Sequence, residues 1–194
     1  MGKLYDSIDK NIRNWIDRQK VFFVATAPLS ANGFVNLSPK GFDTLRILDD
    51  HTLAYLDVGG SGIETTAHLK ENGRIVIMMC AFDGPPKIYR FHGQGVVITA
   101  KDPGFSQLAA RFDRSRFGIR GIVRVDVTRI SDSCGFGVPF CDFRAQRESM
   151  DNYLRDKTAD DMRAYFRERN SESIDGLPGI SDEEADAYQP RERD

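Results

Sequence analysis

The chain has 194 residues, 40% of them hydrophobic and 29% charged, with a formal net charge of -2. This composition is ordinary for a folded globular protein, and the near-neutral charge gives no general attraction to nucleic acid or to an anionic membrane. No apolar stretch approaches the ~20 residues of a membrane-spanning helix, no signal peptide is evident, and an odd number of cysteines forms no disulfide framework, so we expect a cytoplasmic protein.

The first part of the chain is predicted to contain one helix followed by four short strands. Apolar residues at helical spacing predict the helix over residues 5–19. The strands are predicted over residues 21–27, 34–38, 44–48 and 52–57. Asn32 and Gly33 predict a hairpin turn between the first two strands, and Pro39 is expected to end the second. Because no helix separates these strands, antiparallel pairing is favoured over a parallel α/β sheet.

A glycine-rich turn then leads into a second helix, predicted to run to about Lys70. Ser61 and Glu64 have the spacing of a capping box at its start. The apolar run over residues 74–82 is typical of a strand buried on both faces, and glycines within the next strand favour a bulge. The remaining predictions are a strand over 87–99, a helix over 103–116, a strand over 119–130, an extended loop over 133–141 and a polar helical region over 144–169.

Together these elements predict a mainly β fold, an antiparallel β-barrel with peripheral helices. We expect the barrel domain to span residues 1–142 and a helical extension packed on it to span residues 143–180. The last stretch, 181–194, is acidic and is predicted to be a mobile tail.

The chemistry of the individual residues leaves several readings open. The sequence has no phosphate loop or serine-hydrolase elbow, and its three histidines lack metal-ligand spacing, so no metal is expected. Cys134 is interpreted first as a buried structural cysteine and second as a reactive thiol. The glycine-rich turn is either a plain capped helix or an anion site, because a helix start with nearby hydroxyls favours phosphate.

Three motifs, residues 36–41, 60–69 and 71–86, occur in an order that resembles the pyridoxamine 5'-phosphate oxidase-like proteins with the FMN-binding split-barrel fold. The resemblance covers about residues 15–142, and the segments 133–135 and 173–179 are similar to one particular subfamily. It implies a homodimer with FMN in two clefts between the subunits, and a small-molecule substrate.

The resemblance also implies roles for individual residues. Flavin contacts are expected from Asn36, Leu37, Ser38 and Lys40, and contacts to the ribityl-phosphate end from Ser61, Gly62, Thr65 and Thr66. Arg74 and Arg90 are further candidates for holding phosphate, and Cys134 is a candidate near the cleft. The ammonium group of Lys40 near the ring would stabilise the reduced flavin anion. No residue is assigned as a catalytic acid or base.

Two departures from the family pattern bear on the reaction. Glu64 and Thr65 stand where the oxidase has a basic pair for phosphate, and Trp15 is the only tryptophan, so the carboxy-terminal signature of the oxidase is missing. We therefore expect an FMN-dependent oxidoreductase that does not oxidise pyridoxamine phosphate. The alternatives are a deazaflavin- or heme-binding protein with the same barrel, and a non-catalytic flavin-binding stress module.

Overall fold

The computed structural model describes residues 2–113 and 118–191. The strands in this part of the chain are β1 (Leu4–Tyr5), β2 (Phe22–Thr26), β3 (Asn36–Lys40), β4 (Leu45–Ile47), β5 (Thr52–Asp57), β6 (Arg74–Cys80), β7 (Ile88–Ile98) and β8 (Gly121–Ser133). The helices are α1 (Lys10–Ile16), α2 (Glu64–Asn72), α3 (Phe105–Ala109), α4 (Ser149–Leu154), α5 (Ala159–Arg169) and α6 (Asp182–Asp186).

All eight strands form one antiparallel sheet in the order β3-β2-β6-β7-β8-β5-β4, with β1 paired to β8. Strands β3 and β4 lie at opposite edges, yet only residues 41–44 connect them. A flat sheet would separate these edges by about 29 Å, whereas the connection can span at most about 18 Å. The sheet must therefore curl until its edges approach, which gives the predicted mainly β, barrel-like architecture.

The predicted bulge in the long strand is confirmed between His92 and Gly93 of β7. A side chain at position 93 would place its Cβ 2.3 Å from the carbonyl oxygen of Asp126 on β8, so only glycine permits this close approach. The irregularity increases the local twist of the strand pair and helps the sheet to curl.

The main hydrophobic core fills the concave side of this sheet. Helix α1 contributes Ile12 and Trp15, which pack with sheet residues such as Ile77 and Phe91. The helix is shorter than the predicted 5–19, because its amino terminus is fixed by Asp9, whose carboxylate accepts a hydrogen bond from the amide of Ile12 at 2.8 Å. Tyr5, at the start of the predicted range, belongs to β1 instead.

Several other boundaries differ from the sequence predictions. Pro39 lies inside β3 rather than after it, which is allowed because β3 is an edge strand and needs no second hydrogen-bonding partner. Strand β8 continues to Ser133, past the predicted end at residue 130. Helix α3 ends at Ala109, whereas the prediction runs to residue 116; the last part of that prediction, 114–116, lies outside the described residues. The predicted polar helical region is two helices, because Thr158 caps a new helix, α5, with a capping box.

The carboxy-terminal helices form a second apolar cluster against the start of α2. Phe166 of α5 and Ile180 pack there with Ile63, which precedes α2. Where the sequence predicts a mobile tail, the structure has helix α6, capped by Ser181. Glu184 of α6 accepts a hydrogen bond from Lys70 of α2 at 2.6 Å. No helix in the described part of the chain is long and apolar enough to cross a membrane.

Candidate functional site

A cleft of about 330 Å³ lies between strand β3, the end of β5 and the start of α2. This volume is within the usual range for small-molecule sites. Six of the residues that the sequence nominates for cofactor binding line it, namely Asn36, Ser38, Lys40, Ser61, Gly62 and Thr65. The alternation of a strand explains the β3 members, because residues 36, 38 and 40 share one face of β3. The motif from β3 and the motif from α2 therefore meet in one place.

The start of α2 is left open towards this cleft. The predicted capping box is wrong: the N-cap residue is Ile63, and no side chain caps the helix. The reason is packing, because the side chain of Ile63 is only 2% exposed in the carboxy-terminal apolar cluster and the helix begins after it. The first hydrogen bond of the helix runs from the amide of Ala67 to the carbonyl of Ile63 at 3.0 Å. The amides of Glu64, Thr65 and Thr66 therefore have no acceptor within the helix.

Arg120 holds the glycine-rich loop in this position. Its guanidinium forms a bidentate pair with Asp57, with distances of 2.9 and 3.0 Å, and it is only 8% exposed. It also donates to the carbonyl oxygens of Gly60 at 3.3 Å and Gly62 at 3.2 Å. One arginine thus joins the end of β5 to both sides of the loop, so that Ser61 between them cannot turn back to cap the helix.

Asn170, after α5, completes this clamp from the carboxy-terminal part of the chain. Its side chain is fully buried and accepts a hydrogen bond from Arg120 at 2.6 Å. Its amide nitrogen donates to the carbonyls of Gly60 at 3.1 Å and Ser61 at 3.3 Å. The helical extension therefore shapes the cleft directly.

The carboxylate of Asp57 is charged in this arrangement. Burial alone would raise its pKa, but the guanidinium of Arg120 and the ammonium of Lys40 outweigh burial and lower the pKa below the ordinary value. Lys40 is thus close enough to Asp57 to act on it electrostatically. The cleft carries two positive side chains, Lys40 and Arg120, and two negative ones, Asp57 and Glu64. Its formal charge is balanced, so an anion there would depend on amides and hydroxyls.

The wall formed by β3 presents a hydrogen-bonded group of polar side chains. Asn36 donates from Nδ2 to the hydroxyl of Thr65 at 2.9 Å, which joins β3 to the first turn of α2. The hydroxyl of Ser38 donates to Oδ1 of Asn36 at 3.0 Å. These contacts fix the positions of three nominated residues before any ligand binds.

The floor of the cleft contains a polar atom that lacks a partner. Tyr55 of β5 lines the cleft and is 1% exposed, and its hydroxyl has no hydrogen-bond partner in the described residues. Burial raises the pKa of this phenol well above its ordinary value, so the group is a neutral donor. A buried hydroxyl without a partner is unfavourable by about 1–3 kcal/mol, and a ligand that accepts from it would remove that penalty.

Two nominated residues in these same elements do not line the cleft. Leu37 points to the opposite face of β3 from Asn36 and Ser38 and is 64% exposed. Thr66 is buried behind the first turn of α2 at 2% exposure, so only its amide belongs to the open helix start. Their assigned roles stay predictions.

The other three nominated residues lie elsewhere on the same chain. Arg74 donates to the carbonyl of Pro28 at 3.1 Å, and Arg90 donates to the hydroxyl of Ser133 at 3.0 Å. Cys134 is exposed, so its interpretation as a buried structural cysteine is wrong. None of the three lines the cleft of its own chain, and any contact with a ligand there would have to come from a second copy.

Sequence reasoning missed Tyr55, Asp57, Arg120 and Asn170. Arg120 is one member of a local cluster of arginines, and nothing in its neighbourhood distinguishes it from the others. One signal was available in the sequence: the apolar strand β5 ends in Asp57, and a buried carboxylate needs a cation beside it. Which arginine supplies that cation is decided by the pairing of Asp57 with Gly121 in the sheet.

A larger cavity of about 550 Å³ adjoins the cleft on the other side of the turn after β3. The two spaces share Pro39, Lys40, Gly41 and Phe42. Phe42 and the next residue, Asp43, adopt left-handed backbone angles with φ of 59° and 56°. Such angles are unfavourable for residues other than glycine, and strain of this kind concentrates at functional sites. In the described part of the chain, no group of three or more metal-ligating side chains is placed to hold a metal.

Comparison with known proteins identifies the family to which this chain belongs. Residues 8–134 match the family model described as pyridoxamine 5'-phosphate oxidase. The pyridoxamine 5'-phosphate oxidase family protein ustO of Aspergillus flavus is 37% identical over 196 residues, which cover 93% of this chain and 78% of that protein. Among solved structures, HupZ of Group A Streptococcus has a TM-score of 0.53 with 26% identity, covering 63% of this chain and 91% of HupZ. A variant of HupZ has a TM-score of 0.54 with 25% identity, covering 65% of this chain and 99% of that one. The chain belongs to the pyridoxamine 5'-phosphate oxidase family and has its split-barrel fold.

Proposed function

We propose that the cleft binds FMN, with the phosphate at the open start of α2 and the ring along β3, and that the protein is an FMN-dependent oxidoreductase acting on a small molecule. The observation that carries this proposal is the meeting, in one cleft, of an uncapped helix terminus with the unpartnered hydroxyl of Tyr55. Family membership supports the same ligand class.

The residues of the cleft fit a flavin phosphate. The free amides at the start of α2 and the hydroxyls of Ser61 and Thr65 suit a phosphate group, because helix amino termini bind anions through oriented amides and the helix dipole. The hydroxyl of Tyr55 offers a donor to the ring or to the ribityl chain. Lys40 places a positive charge next to the flavin ring. When bound, FMN supplies the hydride and electron chemistry, and the protein binds and orients it.

The surface beside the cleft supports a homodimer. Phe34, Val35 and Leu37 are 62%, 74% and 64% exposed, and they lie together around edge strand β3. A contiguous apolar patch of this kind is unfavourable in water and usually marks an interface. In the proposed dimer a second chain covers this patch and brings Arg74, Arg90 or Cys134 to the cleft. The adjoining 550 Å³ cavity is the space that the proposal leaves for the substrate.

The first experiment is the absorption spectrum of the purified protein. Flavin bands in the blue support the proposal, whereas a Soret band or a deazaflavin spectrum would replace FMN by one of the alternatives. Reduction of the bound flavin by NADH or NADPH, followed by reoxidation with turnover, separates an oxidoreductase from a non-catalytic flavin-binding module.

The second experiment tests the site itself by titrating the flavin-free protein with FMN. We expect the double variant Lys40→Ala/Thr65→Ala to bind FMN at least about tenfold more weakly, since it loses a charge and a hydroxyl at opposite ends of the cleft. Lys10→Ala, at an exposed position on α1, is the matched control and should bind as the parent does. Unchanged affinity in the double variant would show that FMN is not held here.

A further inference from the structure

A series of hydrogen bonds leads from the cleft wall to the carboxy-terminal loop 173–179. Asn36 donates from Nδ2 to the hydroxyl of Thr26 at 3.1 Å. The Thr26 hydroxyl lies 3.0 Å from Nδ1 of His68, and Nε2 of His68 lies 3.4 Å from Asp175 in the loop. Thr26 is 4% exposed and His68 is fully buried, so the contact between these two side chains is shielded from water. The proposed function gives no role to His68 or Asp175.

The donor and the acceptor of each of these hydrogen bonds can be assigned. Asp175 accepts at both oxygens, because its other oxygen takes the amide of Phe34 at 3.0 Å. In a neutral imidazole this places the proton of His68 on Nε2 and leaves Nδ1 as an acceptor. The hydroxyl of Thr26, which already accepts from Asn36, then donates to that Nδ1. With this assignment each donor between Asn36 and Asp175 has an acceptor, and the hydrogen bonds of Asn36 to Thr26, Thr26 to His68 and His68 to Asp175 all run in one direction.

The direction of these hydrogen bonds has a consequence in the cleft. Asn36 must present Nδ2, not Oδ1, to both Thr26 and Thr65, with 2.9 Å to the latter. Because the Thr65 hydroxyl accepts from Asn36, its own proton is left for another acceptor. No described residue accepts that proton. Thr65 thus offers a hydrogen-bond donor to a ligand at the start of α2.

We propose that Asp175, acting through His68, is the positioning residue that keeps the Thr65 hydroxyl a donor to the phosphate of the ligand. Without the carboxylate, the proton of His68 moves to Nδ1, where it binds Thr26, and the Thr26 hydroxyl turns to donate to Asn36. The Asn36 amide then flips and presents Oδ1 to Thr65 as well, while Nδ2 turns to the hydroxyl of Ser38, which accepts instead of donating. Thr65 donates to Asn36 instead of to the ligand, and the cleft loses a phosphate donor. This inference rests on the proposed function.

The test compares two flavins that differ only in the phosphate. We expect Asp175→Ala to bind FMN about tenfold more weakly than the parent, which is the usual effect of one hydrogen bond to a charged group, and to bind riboflavin unchanged. Lys70→Ala is the matched control, because Lys70 also ties the carboxy-terminal segment to α2, through the carbonyl of Gly179 at 2.6 Å, but lies outside the series of hydrogen bonds. It should leave the ratio of the two affinities at the parent value.

An equal loss for FMN and riboflavin in Asp175→Ala would mean that Asp175 only supports the fold, and unchanged affinity for both would mean that it has no influence. Either result overturns the inference. If the parent protein binds neither flavin, the proposed function has failed. The series of hydrogen bonds is then tested by itself, from the tautomer of His68 in NMR spectra of the imidazole nitrogens. The His68 signals are assigned by their loss in His68→Gln. We expect the Nε2–H tautomer in the parent and the Nδ1–H tautomer in Asp175→Ala. The same tautomer in both proteins would refute the inference.

Discussion

The buried pair of Asp57 and Arg120 gives the sharpest test of how the cleft is held together. Arg120→Met removes a guanidinium that pairs with Asp57 and donates to two loop carbonyls and to Asn170. The carboxylate of Asp57, 8% exposed, is then buried without its guanidinium partner and keeps only the amide of Gly59, at 3.3 Å, as a hydrogen-bond donor. Breaking a buried pair from one side typically lowers the free energy of unfolding by about 3–5 kcal/mol. With a urea m-value of about 2 kcal/mol/M, the unfolding midpoint should fall by about 1.5–2.5 M.

The double variant Asp57→Asn/Arg120→Met separates the charge effect from the loss of packing. Because it buries no lone charge, we expect it to be more stable than Arg120→Met by about 1 kcal/mol or more. A loss below about 1 kcal/mol in the single variant, or a double variant no more stable than the single one, would refute this account of the clamp. Urea unfolding followed by circular dichroism measures all three proteins.

The same pair predicts opposite pH dependences. In the parent, the pKa of Asp57 is lowered from its ordinary value, so the pair's contribution to stability is present above about pH 4 and is lost as the pH falls below it. In Arg120→Met, burial has no nearby guanidinium to oppose it, and the pKa of Asp57 should rise. That variant should therefore lose stability as the pH increases above about 4. A parallel pH profile for parent and variant would contradict the assignment.

Three further predictions concern the cleft, the dimer and the acid stability of the fold. Glu64→Gln should strengthen FMN binding about two- to fivefold, because Glu64 places a negative charge beside the proposed phosphate site, and weaker binding by isothermal titration would place the phosphate elsewhere. Leu37→Glu should convert the proposed dimer into a monomer in light-scattering measurements; a dimeric mass in both the parent and the variant would remove β3 from the interface. Asp132 has its pKa lowered to about 2, since Lys87 at 2.7 Å and the hydroxyl of Tyr5 outweigh its burial. Asp132→Asn should thus lower the free energy of unfolding by about 1–3 kcal/mol at pH 7. Because the variant lacks this carboxylate, it should lose less stability than the parent between about pH 4 and 2, and equal acid sensitivity in both proteins would contradict this.

The parts of the fold that follow from local pattern were predicted well. Strand β5 spans residues 52–57 in both the prediction and the structure, and the strand predicted over residues 74–82 is β6, Arg74–Cys80, inside the sheet. These segments are recognisable because hydrophobic pattern and flanking turns agree. Six of the eight residues nominated on β3 and around the start of α2 likewise meet in the cleft, since each group lies on one short motif.

The parts that depend on distant contacts could not be predicted. Ser61 and Glu64 have the spacing of a capping box, but the carbonyl of Ser61 is held by Asn170, which is 109 residues away in sequence. Arg120 reaches Gly60 across 60 residues. No local pattern encodes such partners, so the helix start looks capped in the sequence and is open in the structure.

Arg120 and Asn170 also have a consequence for folding rates. The contacts of these two residues that shape the cleft join residues separated by 63, 109 and 110 positions, and closing loops of that length is slow. The cleft should therefore be incomplete in the transition state for folding. A ligand bound there should leave the folding rate unchanged and slow unfolding, because it stabilises contacts that form after the barrier. The lifetime of the folded protein would then depend on the supply of its cofactor.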